Sequence, residues 1–374
     1  MNKIEIKQVN SLKELKKFVD FPFKLFKGNA FWVPPLKFDE INTLRKDKNP
    51  AFEFCEAEYW IAYCDGIPVG RIAGIINPIE IQRWNTRLVR FGWIDFIDDP
   101  EVSHALIETV KEWGKSKGMT GIHGPLGFND MDAEGMLIEG FDEISSLSAI
   151  YNYPYYRDHM EKLGFRKATD FVQFEVKVPS EVPEKVERLT RIVLEKYNLR
   201  LLKARKAKEI RPYANKMFTM YNDAFRDLYG FTALSQKQMD YYTKMYFGFI
   251  RPEFISLVLD DQDDVVGFGI TMPSLALALQ KAKGSLLPFG FIHPLRAIRK
   301  NDIVHMYLVG VRPDYQGKGV LALVYHELTK AYIDAGIKLT RTHPQLEQNL
   351  RAVAIWKNYE SRIHIRRRCW MMDM

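Results

Sequence analysis

Two glycines separated by one lysine form a segment able to bind a phosphate. They lie in Gln316-Gly317-Lys318-Gly319-Val320, directly before a run of apolar residues at helical spacing. Glycine lets the backbone turn tightly, and the N–H groups at a helix N-terminus then converge on one point, where negative charge is stabilised. The segment therefore predicts an anion site with phosphate as the ligand. An ordinary helix cap that contains glycines is the alternative interpretation.

A histidine and a tyrosine just upstream have side chains suited to proton transfer. His305 and Tyr307 are two residues apart, so in a strand they point to the same face. An imidazole with a pKa of about 6.5 accepts a proton at neutral pH, directly or through water. His305 is therefore a candidate base, and a structural, hydrogen-bonded histidine is the alternative.

The elements that hold these residues are a strand, a turn and a helix. Ile303–Val311 is rich in β-branched and aromatic residues, which favours a strand. Arg312-Pro313-Asp314 predicts a turn, and Leu321–Ala335 carries apolar residues at helical spacing. The glycines thus fall between the turn and the helix.

This stretch resembles the acyl-CoA-binding motif of the GNAT acetyltransferases, Gln/Arg-x-x-Gly-x-Gly/Ala. Gln316 and Gly319 match, and Leu321 stands where the family usually has a small residue. A dinucleotide fold also has a G-x-G-x-x-A loop, but the next strand, 337–342, ends without the carboxylate such a fold needs. A Walker A loop is excluded because no glycine stands five residues before Gly317.

A second segment downstream strengthens the resemblance. Residues 347–359 follow a chain break at His343-Pro344-Gln345 and predict a helix that begins at Asn349, a good N-cap residue. The segment is similar to the GNAT signature Asn-x-x-Ala-x-x-x-Tyr, with Asn349 and Ala352 in place and Trp356 at the tyrosine position. Two motifs in this order, separated by one helix and one strand, indicate a GNAT domain.

The resemblance implies where an acyl-CoA binds. In GNAT domains the fourth strand bulges, splays from the fifth and offers backbone groups to the pantetheine amides. The bulge is expected at Val309-Gly310-Val311, since Gly310 relieves the backbone, and an N–H there would face the developing oxyanion. The expected acyl-CoA contacts are Val309, Gly310, Val311, Gln316, Gly317, Lys318, Gly319, Val320, Leu321, Asn349 and Trp356.

The resemblance also suggests catalytic residues. Arylalkylamine acetyltransferases have histidines at the strand positions of His305 and Tyr307, so His305 matches a base and Tyr307 departs from the pattern. Trp356 has no acidic proton near physiological pH, so Tyr359, one helical turn later, is the first candidate to protonate the thiolate. Tyr325 is a second candidate, and unassisted departure of the thiolate is a third possibility.

Two half-chains repeat one order of elements. Residues 59–74 and 254–269 each predict strand, turn, strand, and in both a further strand, an amphipathic helix, another strand and a last helix follow. The sequence predicts an α/β protein of two tandem GNAT-like domains, 1–180 and 181–374. Each has a mixed, mostly antiparallel sheet flanked by helices, and 178–183 is the linker.

The two copies differ at the cofactor loop. In the first copy, 97–102 has no glycine and three carboxylates, and carboxylates repel a pyrophosphate. The first domain is therefore expected to be a structural or substrate-shaping partner without a cofactor. The loop-rich insertions 121–142 and 275–300 are expected to line the cleft between the domains, cover the site or contact the first domain.

Two helices are predicted ahead of the second hairpin, at Lys206–Tyr229 and Ser235–Phe247. GNAT domains commonly use these helices as the acceptor wall, so aromatic and amide side chains on them are candidate substrate contacts. These candidates are Tyr221, Asn222, Tyr229 and Phe231.

Composition limits the class of protein. The chain has 374 residues, more than one core usually supports, and 47% are hydrophobic. No apolar run reaches the length of a signal peptide or a membrane span, so a cytoplasmic protein without a membrane partner is expected. Cys55, Cys64 and Cys369 lack histidines at metal spacing, which suits a reducing compartment and predicts no metal site.

The net charge of +7 suits an anionic ligand, and part of the surplus is expected to serve CoA. The densest basic run, 362–368, alternates with isoleucine. It predicts a strand with one solvated, charged face, and a nucleic-acid partner is the less favoured alternative.

Together these features predict an acetyl-CoA-dependent N-acyltransferase of bacterial tandem GNAT type. Its acceptor would be the amine of an unidentified small molecule or peptide, which attacks the thioester directly. One alternative is a non-catalytic CoA-binding or scaffold protein, suggested by Trp356. The other is an aminoacyl-tRNA-dependent transferase of the tandem GNAT class, although the long charged helical hairpin of that class is missing.

Overall fold

The computed structural model describes residues 3–248 and 250–374, and in these ranges fourteen strands join into one sheet. The strands are β1 (Ile4–Gln8), β2 (Glu56–Cys64), β3 (Ile67–Ile76), β4 (Leu88–Phe96), β5 (Gly121–Gly124), β6 (Met136–Glu139), β7 (Arg166–Lys177), β8 (Arg200–Leu201), β9 (Ile255–Leu259), β10 (Val265–Pro273), β11 (Ile303–Val311), β12 (Leu339–Thr342), β13 (Gln345–Leu346) and β14 (Ser361–Asp373). The α-helices are α1 (Leu12–Leu25), α2 (Lys37–Thr43), α3 (Pro78–Trp84), α4 (Pro100–Ser116), α5 (Tyr155–Lys162), α6 (Glu184–Lys196), α7 (Ala207–Ile210), α8 (Ala214–Phe225), α9 (Gln236–Tyr246), α10 (Ala276–Ala282), α11 (Ile292–Arg299), α12 (Val320–Asp334) and α13 (Leu350–Ala354).

The strands follow the order β1-β2-β3-β4-β5-β14-β7-β12-β11-β10-β9-β8, with β6 paired to β14 and β13 to β7. The pairs β4–β5 and β11–β12 are parallel, and the other pairs are antiparallel. This mixed, mostly antiparallel sheet flanked by helices confirms the predicted fold class.

The two halves share strands across the division proposed at residue 180. β14, from the end of the chain, lies between β5 and β7, and β7 pairs with β12. The prediction of a solvated strand at 362–368 is therefore wrong. Arg367 is fully buried and donates hydrogen bonds to Gln173 Oε1 (2.9 Å) and Ser145 Oγ (2.9 Å), because an inner strand is covered on both sides by other parts of the chain.

The helices pack against this sheet in separate apolar clusters. In the second half, α12 packs with Val304 and Met306 of β11, and α8 and α9 pack with Phe268 and partly buried Leu308. The single helix predicted over 206–229 is interrupted, because α7 ends at Ile210 and α8 begins at Ala214. Pro212 lies in the break, where its missing N–H cannot continue a helix.

The insertion between β10 and β11 contacts the first half, which was one of its predicted roles. Gln280 Nε2 donates to the carbonyl oxygens of Ala30 (2.8 Å) and Trp32 (3.0 Å), and Leu279 is buried in a cluster with Val33. In the described ranges, no helix has both the length and the apolar content that a membrane span requires.

Candidate active site

The strands β11 and β12 part after four residue pairs. Their parallel pairing runs from Ile303 to Met306, and the N–H of His343 then bonds to the Met306 carbonyl oxygen (2.8 Å). On its other edge, β11 stays paired with β10 up to Val311. The later part of β11 therefore borders a gap, which confirms the predicted splay.

Backbone groups of β11 are directed into this gap. The Arg312 N–H donates a hydrogen bond to the Val266 carbonyl oxygen (2.9 Å). This bond and the register show which residues of β11 direct their backbone groups towards β10 and which direct them away from it. In such a ladder every second residue points its N–H and C=O away from the partner strand. Here these residues are Val309 and Val311, which we call the open edge. An extended ligand with amide groups can pair there as an added strand would.

The bulge lies two residues earlier than predicted. The β10–β11 register shifts between Ile270, opposite Leu308, and Thr271, opposite Met306, so Tyr307 has no partner. Gly310 is paired regularly, and a Cβ there would lie 3.1 Å from Phe268 and 3.3 Å from Phe225 side-chain atoms. Close packing, and not a bulge, therefore explains this glycine, and the prediction at Val309–Val311 is wrong.

The segment 316–321, which we call the glycine loop, joins β11 to α12. Gly317 and Gly319 have φ angles of +75° and +85°. Within the described residues, the N–H groups of Gly317, Gly319, Val320 and Leu321 have no hydrogen-bond acceptor. Free N–H groups at the start of a helix suit an anion. Leu321 is partly buried against the α12 core, so it leaves the loop open.

The side chains of the loop extend the site. Gln316 Nε2 donates to the carbonyl oxygen of Val311 (3.4 Å), which connects the loop with the open edge. Exposed Lys318 places Nζ over the rings of Tyr315 (4.9 Å) and Tyr197 (5.4 Å). A positive charge thus stands beside the free N–H groups.

His305 and Tyr307 lie on one face of β11, with ring centroids 6.2 Å apart. His305 is buried, and its Nδ1 has no partner in the described part of the chain. Burial, and then the charges of Arg341 and His343, lower the pKa of His305 to about 3. Burial also raises the pKa of Tyr307. At neutral pH the imidazole is neutral but a weak base.

Three carboxylates follow β5 in the first half, and we call them the acidic wall. Asp130, Asp132 and Glu134 are half-buried in the loop after β5. Burial raises the pKa of all three, that of Asp132 to about 6. Met131, between them, packs in the apolar cluster that includes Leu308 of β11. The loop that carries these carboxylates thus packs against the second half.

Tyr246 of α9 connects the acidic wall with β11. Burial, and then the charge of Asp132, raise the pKa of Tyr246. Burial, and then Tyr246, raise the pKa of Tyr307. The charge of Asp132 therefore acts on Tyr246, and Tyr246 in turn acts on Tyr307.

Arg90 fixes the loops that form the cleft. Its buried guanidinium donates to Glu80 Oε2 (2.7 Å) and to the carbonyl oxygens of Gly127 (2.8 Å) and Gly230 (2.6 Å). Gly127 precedes the acidic wall, and Gly230 belongs to the α8–α9 loop of the second half. Burial opposes ionisation of Glu80, but Arg90 and His123 outweigh it and lower the Glu80 pKa. One buried ion pair therefore orients both loops.

The comparisons with known proteins agree with this geometry. Residues 215–359 match the sequence model of the acetyltransferase (GNAT) family. A tandem GNAT protein from the clavulanic acid biosynthesis pathway shares the fold over 99% of this chain and 98% of its own, with a TM-score of 0.56 and 11% identity. The second half of the chain thus matches the GNAT family in sequence, and the whole chain has the fold of a tandem GNAT protein.

Two bacterial proteins are similar to it in sequence. Protein YghO of Escherichia coli (strain K12) is 28% identical over 306 residues, 81% of this chain and 77% of YghO. The bacterial ceramide synthase of Caulobacter vibrioides is 26% identical over 312 residues, 81% of this chain and 79% of that protein. The GNAT fold and these relatives support acyl transfer in general.

A fungal structure shares the fold as well. The glucosamine N-acetyltransferase region of a multi-domain β-N-acetylglucosaminidase aligns with the whole chain and 38% of its own chain, with a TM-score of 0.60 and 11% identity. At this identity the match concerns the fold alone.

The second GNAT motif has a structural role here. Asn349 caps α13 by accepting a hydrogen bond from the Ala352 N–H (3.3 Å). Trp356 is buried, donates from Nε1 to Gln345 Oε1 (3.0 Å) and packs edge-to-face on Tyr325 at 5.3 Å. Its indole is therefore part of the core and presents little surface to a pantetheine.

Tyr359 lines a small cavity with Tyr325, Trp356 and Met306, the last residue of β11 that pairs with β12. Through the pairing of neighbouring strands, Ser361 of β14 is level with Thr340 of β12 and Val304 of β11. These three strands run in the same direction, so Tyr359 lies at the level where β11 begins. The strands part only after Met306, further along. The Tyr359 side chain thus lies at the paired end of β11 and β12, before the open edge.

The predicted acceptor contacts are mostly structural. Tyr221 and Phe231 are buried, and their rings pack together at 5.5 Å. Asn222 exchanges hydrogen bonds with the backbone of Leu234 (2.8 and 3.0 Å) and so shapes the α8–α9 loop. The Tyr229 hydroxyl lies 2.8 Å from a histidine of β5. Burial, and then the charges of Asp130 and Glu134, raise the pKa of Tyr221, and the charge of Glu134 adds to burial in raising the pKa of Tyr229.

Sequence reasoning missed the acidic wall itself. The spacing Asp130-x-Asp132-x-Glu134 within a glycine-rich insertion was the available signal. In the structure, the Asp132 carboxylate accepts hydrogen bonds from the N–H groups of Phe128 (2.8 Å) and Asn129 (3.4 Å), so its orientation is fixed.

In the first half, side chains occupy the turn that corresponds to the glycine loop. Asp99 caps α4 by accepting from the Glu101 N–H (2.9 Å). Asp98 Oδ1 lies 3.0 Å from His159 Nε2, and His159 Nδ1 lies 2.8 Å from Ser103 Oγ. This network supports the proposal that the first half binds no cofactor.

One cluster has the residue types of a metal site. Glu143, Glu175 and His364 bring potential ligand atoms within 4.8 Å of one another. However, Arg362 bonds to Glu143 (2.7 Å) and Arg341 to Glu175 (2.6 Å). These guanidinium groups already neutralise the carboxylates, so the cluster is an ion-pair network.

Proposed function

We propose that the chain is an N-acyltransferase that transfers an acetyl group from acetyl-CoA to the amine of a small molecule or peptide. The observation that carries the proposal is the open edge at Val309 and Val311, which lies next to the glycine loop. A strand edge whose N–H and C=O groups point away from β10 and a helix start with free N–H groups suit the pantetheine and the pyrophosphate of one extended ligand.

The residues of the site have separate tasks in this proposal. The glycine loop and Lys318 hold the pyrophosphate, and the open edge holds the pantetheine amides. Acyl-CoA supplies a thioester whose carbonyl oxygen gains negative charge during attack, and an N–H on the gap side of β11 stabilises that charge. The acidic wall attracts a cationic amine into the cleft and accepts its proton.

We assign the base to Asp132 and not to His305. The attacking amine must be neutral, and a general base works best when its pKa is close to the operating pH. The pKa of Asp132 is about 6 and that of His305 about 3. At neutral pH Asp132 is therefore ionised and the better proton acceptor of the two.

A second candidate is transfer of a longer acyl chain to an amphiphilic amine. A ceramide is an amide with long apolar chains, and one relative bears the name bacterial ceramide synthase. Phe38, directly before Asp39, is 74% exposed, and the charge of Asp39 acts on Tyr246 beside the acidic wall. An apolar side chain near the cleft favours an acceptor with an apolar part.

The test separates these functions from the non-catalytic and tRNA-dependent alternatives. The purified protein is titrated with CoA by calorimetry and then incubated with acyl-CoA donors of increasing chain length and a panel of polar, peptide and long-chain amines. We expect amine-dependent thiol release and a product heavier by one acyl group. CoA binding without thiol release would favour a CoA-binding scaffold. If the calorimetric titration detects no binding of CoA, the proposal is wrong.

Two matched variants test the base. Asp132→Asn keeps an acceptor for the Phe128 N–H and is expected to lower kcat about a hundredfold, the usual contribution of a general base. His305→Asn is expected to change kcat much less, while both variants bind CoA as the wild type does. If His305→Asn lowered kcat more than Asp132→Asn, His305 would be the base.

A further inference from the structure

The tip of the insertion between β10 and β11 exposes large apolar side chains. Leu287 is 79% exposed and Phe289 is 71% exposed. Phe291 and Leu295, in and before α11, are exposed as well. Clustered exposed apolar side chains mark surfaces that contact a protein or a membrane.

The charges within the insertion itself have one sign. Residues 275–300 contain five basic residues and no acidic residue, and all five are exposed. In the described ranges, none of them forms an ion pair. The basic residues are Lys281, Lys283, Arg296, Arg299 and Lys300. Apolar side chains flanked by unpaired basic residues are typical of segments that lie in the interface of an anionic bilayer.

The tip is fixed to the first half and not loosely attached. The Phe291 N–H bonds to the Leu286 carbonyl oxygen (2.9 Å), and the Lys37 N–H bonds to the Gly284 carbonyl oxygen (3.0 Å). Gly284 has φ +77°, and a Cβ there would lie 2.3 Å from the Phe23 ring. Exposed Phe38 of α2 follows Lys37 and thus extends the same surface.

We propose that this surface, Phe38, Leu287, Phe289, Phe291 and Leu295 with the five basic residues, docks on an anionic lipid bilayer. The apolar side chains would enter the boundary between headgroups and acyl chains, and the basic residues would contact lipid phosphates. The sequence led us to expect no membrane partner because long apolar runs are missing, but docking at the interface requires none. The proposal is independent of the transferred acyl group.

Charge complementarity is the reason to choose a bilayer over a protein partner. Protein interfaces tend to be depleted of lysine at their centre, whereas an anionic leaflet attracts each added Lys or Arg.

The test is flotation of the purified full chain with vesicles of phosphatidylcholine alone or with added phosphatidylglycerol. We expect binding to the phosphatidylglycerol vesicles and about tenfold weaker partitioning for Leu287→Asp/Phe289→Asp, since binding scales with buried apolar area. Ile67→Asp, which replaces a 66% exposed side chain in the β2–β3 hairpin, is the matched control and is expected to bind like the wild type.

A charge variant examines the second part of the proposal. Arg296→Gln/Arg299→Gln/Lys300→Gln is expected to lose the preference for phosphatidylglycerol and its sensitivity to salt. The proposal is overturned by wild-type protein that stays free of the anionic vesicles, or by equal binding of the Leu287→Asp/Phe289→Asp variant with an unchanged circular dichroism spectrum. A dimer that this double variant dissociates in sedimentation velocity would also overturn it, because a second copy would then cover the surface.

Discussion

Replacing Gly319 by alanine is expected to weaken CoA binding without unfolding the protein. Gly319 has φ +85°, where a side chain is strained by about 1–2 kcal/mol. An alanine Cβ would also lie 2.8 Å from Val193 Cγ2 of α6, closer than normal van der Waals contact. The glycine loop must shift to relieve both, and its free N–H groups then no longer converge.

The size of the effect follows from the hydrogen bonds at stake. A hydrogen bond to a charged group contributes about 1.5–3 kcal/mol, so misplacing one N–H costs about 2 kcal/mol, or about a thirtyfold rise in the Kd for CoA. Gly336→Ala is the control, because Gly336 has φ +70° at the other end of α12 and no atom near its Cβ position. It is expected to lower stability by about 1 kcal/mol and leave the Kd unchanged.

Calorimetry with CoA measures the Kd, and circular dichroism checks the fold. Val193→Ala/Gly319→Ala removes the close contact but not the strain, and so should recover part of the lost affinity. If Gly319→Ala binds CoA within twofold of the wild type, or if Gly336→Ala weakens binding equally, the loop is not the pyrophosphate site.

Three further predictions concern the acidic wall, the buried ion pair and the proposed proton donor. Because burial raises the pKa of Asp132 to about 6, wild-type activity should rise with pH through about 6. The protonated carboxyl of Asp132 contributes its full stabilisation below about pH 4, the pKa of an aspartate in the unfolded chain. This stabilisation is lost as the pH rises through about 6, the pKa of Asp132 in the folded protein. In the Asp132→Asn variant, activity should therefore depend less on pH around 6. The Tm of this variant minus the Tm of the wild type should be more positive at pH 8 than at pH 4. Equal Tm differences at the two pH values would contradict the raised pKa. Arg90→Met should lower the free energy of unfolding in urea by about 3–5 kcal/mol, because Glu80 is then buried without its partner. Arg90→Met/Glu80→Leu should recover most of this free energy. Equal losses in both variants would refute the ion-pair explanation. Tyr359→Phe should leave kcat within twofold of the wild type, and a tenfold fall in thiol release would restore Tyr359 as a proton donor.

The local elements of the site were predictable from the sequence. Strand β11, the turn, the glycine loop and helix α12 come from residue types within about thirty consecutive positions, and so does the difference between the two halves at Asp98 and Asp99. Such patterns depend on backbone propensity and spacing, which act between near neighbours. The family resemblance therefore gave the fold and the splay correctly.

Contacts between distant residues were decided by the tertiary structure. Trp370 of β14 pairs with Gly124 of β5, which lies far earlier in the chain, and this pairing helps to bury Arg367 in a strand that had the pattern of a solvated one. The same assembly buries His305, lowers its pKa and packs Met131 of the first half in one apolar cluster with Leu308 of β11. A sequence gives the type and local spacing of these groups. Their proton affinities depend on burial and on charges brought together by folding, and only the packed structure determines those.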